Sequence, residues 1–260
     1  MILRLASTDM RPCPICGHAT NLRIGELQST FHSPLIRSAY DLAHCKSCDV
    51  VYLSPLPLQE DLDTLYSALQ FDYYTPESIP PMVAFYCSRM RALVAALGHP
   101  KKLSVLEIGA GPAWMSRAAK AVHPAASTVA QDVSSEMAEK CPWVDRYLVA
   151  SADALEIDER GPYNVISLTH VFEHVPDPVG MLRRLKRVGN GLIFITAPHR
   201  PMGWRGTIDE WRKYSYNHVP AHLQYFSKRG MKTAAGLAGL RVRHWDVRAE
   251  GGQAFEAWLK

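Results

Sequence analysis

No stretch of this 260-residue chain comes near the roughly 20 consecutive apolar side chains that cross a bilayer, which excludes a helical membrane protein. The opening Met1-Ile2-Leu3-Arg4-Leu5-Ala6 gives way at Ser7-Thr8-Asp9 and lacks the apolar core of a secretory leader, so a cytoplasmic protein is expected. Strong charge of either sign is missing as well. Against 29 Lys and Arg stand 25 Asp and Glu, and a net charge of +4 is too mild to require a nucleic-acid partner. The densest basic run, Arg183-Arg184-Leu185-Lys186-Arg187, closes an expected helix, where cations complement the helix dipole. Internal repeats and low-complexity segments are absent, and the sequence carries no signal of oligomeric state. With 47% hydrophobic and 21% charged residues, what is left is a globular chain long enough for a small domain and a medium one.

Cysteine is scarce, yet four of the six fall in two pairs, Cys13-Pro14-Ile15-Cys16 and Cys45-Lys46-Ser47-Cys48. Two such knuckles brought together place four thiolates around one ion, and zinc accepts tetrahedral sulfur ligation without redox chemistry. Gly17 suits the tight turn of a knuckle, and the gap between the pairs can hold strands near 22–27 and 30–35. A cytoplasmic setting disfavours disulfides, and a redox pair has no need of a second copy. Because a closed four-sulfur site offers no open position, the ion is expected to be structural. Cys87 and Cys141 are left over and read as core thiols. Residues 1–78 are therefore expected to form a zinc-binding module and linker, and 79–260 a second domain.

From about residue 103 short β-rich runs alternate with amphipathic stretches, the pattern of a parallel sheet flanked by helices. Seven strands are expected, at 103–108, 127–133, 146–150, 164–169, 191–197, 240–247 and 253–259. Helices are expected at 114–122, 134–140, 178–188 and 227–237. A further helix over 79–97, with Pro80 and Pro81 near its start and Gly98 as its stop, joins the module to this α/β, Rossmann-like sheet. The first strand runs into Glu107-Ile108-Gly109-Ala110-Gly111-Pro112-Ala113, where glycines let the backbone turn sharply against a ligand. Position 114, where a dinucleotide fingerprint has its third glycine, is Trp114, so a pyrophosphate is obstructed.

In its order of motifs the chain resembles the class I S-adenosylmethionine-dependent methyltransferases. Glu107, Gly109 and Gly111 match the first motif of that family. The resemblance implies that Asp132, ending the second strand, accepts hydrogen bonds from the cofactor ribose, and that Val133 packs on adenine. Asp153, within Ser151-Ala152-Asp153-Ala154, would receive the adenine amino group, with Ala154 beside it. The run His170-Val171-Phe172-Glu173-His174-Val175-Pro176-Asp177-Pro178 looks like the signature of a subgroup acting on small molecules and glycans, and places His170 by the cofactor. Ala221-His222-Leu223-Gln224-Tyr225-Phe226-Ser227 resembles the same subgroup. Each acid also has a plainer reading: Asp132 and Asp153 as strand-end carboxylates, Glu107 as a helix cap.

Methyl transfer from a sulfonium is an in-line displacement, and a base is required only where the acceptor must lose a proton. His222, His170, His174, His199 and His218 are candidates. His222 leads, because it lies between the fifth strand and its following helix, a segment that covers the acceptor in this family. His170 and His174 are the alternatives. Related sugar C-methyltransferases carry Tyr and Glu just before the matching histidine, where this chain has Val219 and Ala221, which favours O-methylation. His170-x-x-Glu173-His174 matches a zinc-peptidase pattern but straddles a strand end and a helix start. Some related methyltransferases hold a divalent ion here with an acid where this chain has His170. Trp204, Trp211, Tyr214, Tyr216 and Tyr225 read equally as acceptor-stacking rings or as a satellite core. Two rival readings remain: an NAD-dependent sugar-modifying enzyme, and a zinc-module binding protein on a degenerate Rossmann scaffold.

Overall fold

Apolar residues in the second half come in short β-branched runs, each followed by a stretch of helical period, and this dictates strands covered on both faces. The computed structural model describes residues 10–31, 38–57, 62, 65, 79–152, 161–247 and 253–260. Asp153 and Ala154 lie outside the described residues. Strands β4 (Ser104–Ile108), β5 (Ser127–Asp132), β6 (Arg146–Val149), β7 (Tyr163–Thr169) and β8 (Gly189–Pro198) are mutually parallel. Two further strands, β10 (Val242–Asp246) and β11 (Ala254–Leu259), close one edge as an antiparallel pair. The order is β10-β11-β8-β7-β4-β5-β6, with β11 antiparallel to β8. All seven expected strands form. The order reverses between β4 and β7, and open parallel sheets bind ligands at the carboxyl ends beside such a reversal.

Alternation along the strands sends side chains to two cores. Val105, Val165 and Phe194 meet α1 (Ile79–Ala96) and α2 (Trp114–Val122) through Met90, Leu93, Met115 and Ala118. Leu106, Ile166 and Ile193 face the other way, onto α4 (Pro178–Val188) and α6 (Lys228–Leu237) through Leu182, Leu185, Met231 and Ala235. Asp177 caps α4 by accepting from Gly180 N at 2.9 Å. The basic run at the end of α4 has a use beyond its own dipole: Arg183 and Lys186 donate to the carbonyls of Leu237, the last residue of α6, and Gly239 just beyond it. A short helix, α3 (Ser135–Lys140), links β5 and β6.

The N-terminal half builds a second sheet, β1 (Leu22–Gln28), β2 (Ala39–Cys45) and β3 (Val50–Leu53), all antiparallel. Its second strand is displaced from the expected 30–35: Thr30 and Phe31 are not in a strand, residues 32–37 lie outside the described residues, and β2 carries Cys45 itself. Every side chain of β3 is buried, since Val50 and Tyr52 point into the core shared with the larger sheet while Val51 and Leu53 point into a third core. The fourth strand of this sheet is β9 (Gln224–Tyr225), from beyond the expected boundary at residue 79. Between β8 and β9 lies a single short helix, α5 (Ile208–Arg212). No helix among the described residues is long and apolar enough to cross a membrane.

Candidate cofactor and acceptor site

The turn leaving β4 has Gly109, Gly111 and Ala113 in the left-handed region, at φ of 59°, 47° and 53°. At Gly109 the requirement is also steric, because a Cβ there would stand 2.3 Å from Val171 Cγ2. The turn is held from several sides. Glu107 is buried and spends its carboxylate on α2: Oε1 accepts from Met115 N at 3.0 Å, and Oε2 from Ser116 N and Oγ, both at 2.7 Å. This is the helix-cap geometry. Burial pushes its carboxyl up to about 7, against the pull of those donors. Asp132, at the end of β5, accepts from Gly111 N at 2.8 Å and Ser134 N at 2.9 Å. Beside it Val133 is 59% exposed, a large apolar side chain left in solvent next to the turn.

Three residues that the sequence did not single out for this site clamp the turn. Tyr147 donates its hydroxyl to Gly111 O at 2.7 Å, Trp143 Nε1 donates to Ala113 O at 3.2 Å, and the Cys141 thiol lies 3.8 Å from Gly111 O. Burial, then the fields of Glu107 and Asp132, push that thiol up to about 11, so Cys141 is no nucleophile.

On the other side of the reversal, β7 is followed directly by His170, itself at φ 54°, and then by a single turn at Phe172–His174. Glu173 is fully buried there and faces three imidazoles: His170 Nδ1 at 3.4 Å, His174 Nε2 at 3.9 Å and His222 Nε2 at 3.9 Å. Neither Glu173 oxygen has a well-formed hydrogen bond among the described residues. Backbone carbonyls fix the tautomers. Ala221 O lies 2.7 Å from His174 Nδ1 and Tyr216 O lies 3.1 Å from His222 Nδ1, so each Nδ1 donates to a carbonyl and each ring turns its Nε2 toward Glu173. Burial, then the field of His174, lowers His222 to about 3. Burial works the other way on Glu173, but His170 and the fields of His174 and His222 outweigh it and hold the carboxyl down at about 2.

His218 completes the cluster, its ring 5.1 Å from that of His222, whereas His199 stands apart against Trp245. Of the five aromatic candidates, Trp211 and Tyr225 are fully buried in the third core, with Trp204 and Tyr214 packed on it, and the satellite core is what forms. Tyr216 lies against His170 and His218, at ring separations of 6.0 and 5.9 Å.

The four cysteines converge as expected. Cys13 and Cys48 Sγ lie 3.5 Å apart, as do Cys16 and Cys45, and all four sulfurs fall within 4.8 Å of one another. A tetrahedron of sulfurs about 2.3 Å from zinc has edges of roughly 3.8 Å, so the residues fit that ion. The pairing also drives neighbouring thiols apart: the contact with Cys48 lowers Cys13 to about 5, while Cys48 is raised.

A doubly wound sheet with a glycine turn and a strand-end acid beside its reversal is the arrangement of the α/β proteins that bind an adenosine-bearing cofactor. A family model described as "Methyltransferase domain" matches residues 82–244, and the chain belongs to that family. It is an S-adenosylmethionine-dependent methyltransferase. The chain is 26% identical over 214 residues to a ubiquinone biosynthesis O-methyltransferase of Bordetella avium (strain 197N), covering 70% of this chain and 83% of the relative. In fold it is similar to magnesium protoporphyrin IX methyltransferase of Synechocystis PCC 6803 with bound S-adenosylhomocysteine. There the TM-score is 0.52 at 14% identity, over 77% of this chain and 93% of the other. The plantazolicin methyltransferase BamL, solved with a triazolic desmethylPZN analog and S-adenosylhomocysteine, gives 0.52 at 10% identity, over 77% and 89%.

Proposed function

We propose that this methyltransferase acts on a hydroxyl oxygen of a small molecule, a glycan or natural product, held at the histidine cluster. The observation that carries the reading is the buried Glu173 with the Nε2 atoms of His174 and His222 turned toward it, one residue-contact away from the glycine turn through Val171. In this reading Asp132 keeps carboxylate lone pairs for the ribose hydroxyls, Val133 offers its exposed face to adenine, and Gly109 and Gly111 admit the cofactor backbone. Asp153, with Ala154, takes the adenine amino group. Glu107 acts at one remove by fixing the turn, and His170 borders both cofactor and acceptor.

The acceptor oxygen attacks the methyl carbon as the carbon–sulfur bond breaks, its electron pair returning to sulfur. The acceptor proton passes to His222 Nε2, which is neutral above about pH 3. Glu173 stabilises the imidazolium so formed, and His174 and His170 complete its surroundings. The four cysteines hold a structural zinc ion, which cross-links the module and takes no part in the reaction. Four cysteines used as metal ligands instead of disulfides suit a cytoplasmic setting.

A second reading rests on the ligand atoms of Glu173, His174 and His222, which lie within 4.8 Å of one another and could hold a divalent cation beside the acceptor. The two separate experimentally. Methyl-labelled S-adenosylmethionine is offered with a panel of nucleotide sugars and phenols, and products are analysed for the methylated atom. O-methylated product is expected, with His222→Ala about 10²-fold slower and S-adenosylhomocysteine affinity kept within threefold. Product methylated on carbon or nitrogen, or unchanged turnover in the variant, contradicts the reading; full loss on chelation with the cysteine-bound metal retained favours the cation.

A further inference from the structure

The segment 208–226 brings Tyr216, His218 and His222 to the acceptor site, yet its own regular structure is one five-residue helix and one two-residue strand. Such a segment cannot hold three rings in place by local structure alone. What holds it is the N-terminal sheet. Leu27, Tyr40, Leu42, Val51 and Leu53 from that sheet pack on Trp211, Val219, Leu223 and Tyr225 in one buried core. Backbone bonds tie the same surfaces: Leu53 N donates to Leu223 O at 2.8 Å, Thr30 N to Val219 O at 3.3 Å, and β3 pairs with β9 at Val51↔Tyr225 and Tyr52↔Gln224. The tie then reaches the backbone of the turn that bears the buried carboxylate. Leu223 N donates to Glu173 O at 2.9 Å, and Gln224 Nε2 donates to Phe172 O and Val175 O at 3.1 and 2.7 Å, bracketing the turn that bears Glu173 and His174.

β3 starts two residues after Cys48, and Asp49 between them is a junction. Its carboxylate meets His44 Nε2 at 3.0 Å, Arg200 Nη2 at 3.3 Å and Arg229 Nη2 at 4.0 Å, joining the knuckle to the end of β8 and the start of α6. Behind it Gly230 of α6 approaches so closely that a Cβ would stand 2.4 Å from Val50 Cγ2. The hydrogen bonds of the cofactor turn come from elsewhere, from β4, β5, α2 and the clamp of Tyr147 and Trp143, with no residue of the N-terminal sheet among the bonds described above, although Leu106 and Ile108 of β4 share a buried core with Val50 and Tyr52.

We propose that the four-cysteine module is the positioning scaffold of the acceptor site, so that losing its metal disorders 208–226 and stops methyl transfer while leaving cofactor binding in place. This rests on the zinc reading of the cysteines and on the acceptor reading of the histidines. Hydrogen–deuterium exchange of the full chain tests it without any acceptor. In Cys16→Ser, whose metal content is measured in parallel with that of the wild type, amides of 216–226 are expected to exchange at least tenfold faster. Amides of 104–117 and 127–134 keep their rates within threefold, as does S-adenosylhomocysteine affinity. Leu53→Ala, which opens the shared core without touching a sulfur, is expected to do the same with its metal retained. Unchanged protection of 216–226 in either variant, or equal loosening of 104–117, overturns the proposal. A metal-free wild type overturns the zinc reading, and with it the metal half of the proposal, leaving Leu53→Ala to judge the sheet alone.

Discussion

Glu107 and Glu173 are both buried carboxyls, and their surroundings drive them in opposite directions. Glu107 is pushed up to about 7 by burial although three donors address it, whereas Glu173 is held down at about 2 by its histidines. The first difference has a consequence for stability. A carboxyl whose folded value of about 7 exceeds its ordinary 4.5 favours folding in the protonated form. That contribution, on the order of 3 kcal/mol, is fully present below pH 4.5 and lost as the pH rises through 7. His222 carries the opposite slope, since its lowered value favours the neutral ring and its contribution fades as pH falls from 6.5 toward 3. The two separate by difference: Glu107→Gln, whose neutral amide mimics the protonated carboxyl, should melt close to wild type at pH 4.5 and progressively above it as the pH rises to 7, and a constant gap would assign Glu107 no titration in that window.

The roles of single residues were legible in the sequence only where residue type restricts geometry. Gly109, Gly111 and the paired cysteines were read from identity alone, because few other residues can do what the turn and the knuckles need. Glu107 left two readings open, as cofactor-motif acid or helix cap, and the bonds to Met115 and Ser116 belong to the cap. Tyr147 and Trp143 gave no signal, since a ring that reaches across to another loop is set by tertiary contact and by no local pattern.

At the scale of elements, the β4 turn meets the segment after β7 through Gly109 and Val171, and in the proposed reading this contact decides how cofactor and acceptor adjoin. Gly109→Ala puts a methyl group 2.3 Å from Val171 Cγ2 on a left-handed backbone, at a cost of roughly 1–3 kcal/mol. A fall in melting temperature and at least tenfold weaker S-adenosylhomocysteine binding are expected, partly relieved by adding Val171→Ala; a double variant no better than the single would place the strain in the backbone alone. Gln224→Leu removes two donors from the turn around Glu173 and should lower turnover about tenfold with the Michaelis constant for S-adenosylmethionine unchanged. A matching rise in that constant would mean the damage had spread to the cofactor side.

The seven strands of the large sheet were legible because each is a β-rich run set between helical patterns. β9 was not: two residues carry no period, and its partner Val51–Tyr52 lies far back in the chain. β3 escaped notice because it is buried on both faces and shows none of the alternation that marks a half-buried strand.

Over the whole molecule, in the proposed reading, the two sheets serve different ends of one reaction: the larger binds the methyl donor at its reversal, and the smaller supports the histidine segment. The fold of the larger part could be read forward from sequence, since parallel strands and their connections follow general handedness and layer rules. The joining of the two sheets through residues 224–225 could not, because that contact depends on packing between segments distant in the chain. The account stands first on the cofactor site. Titration calorimetry with S-adenosylhomocysteine, on the wild type and on Asp132→Ala, tests it most directly: saturable binding to the wild type, weakened at least tenfold in the variant, is the result predicted. No binding to the wild type, or equal binding to both, would contradict it.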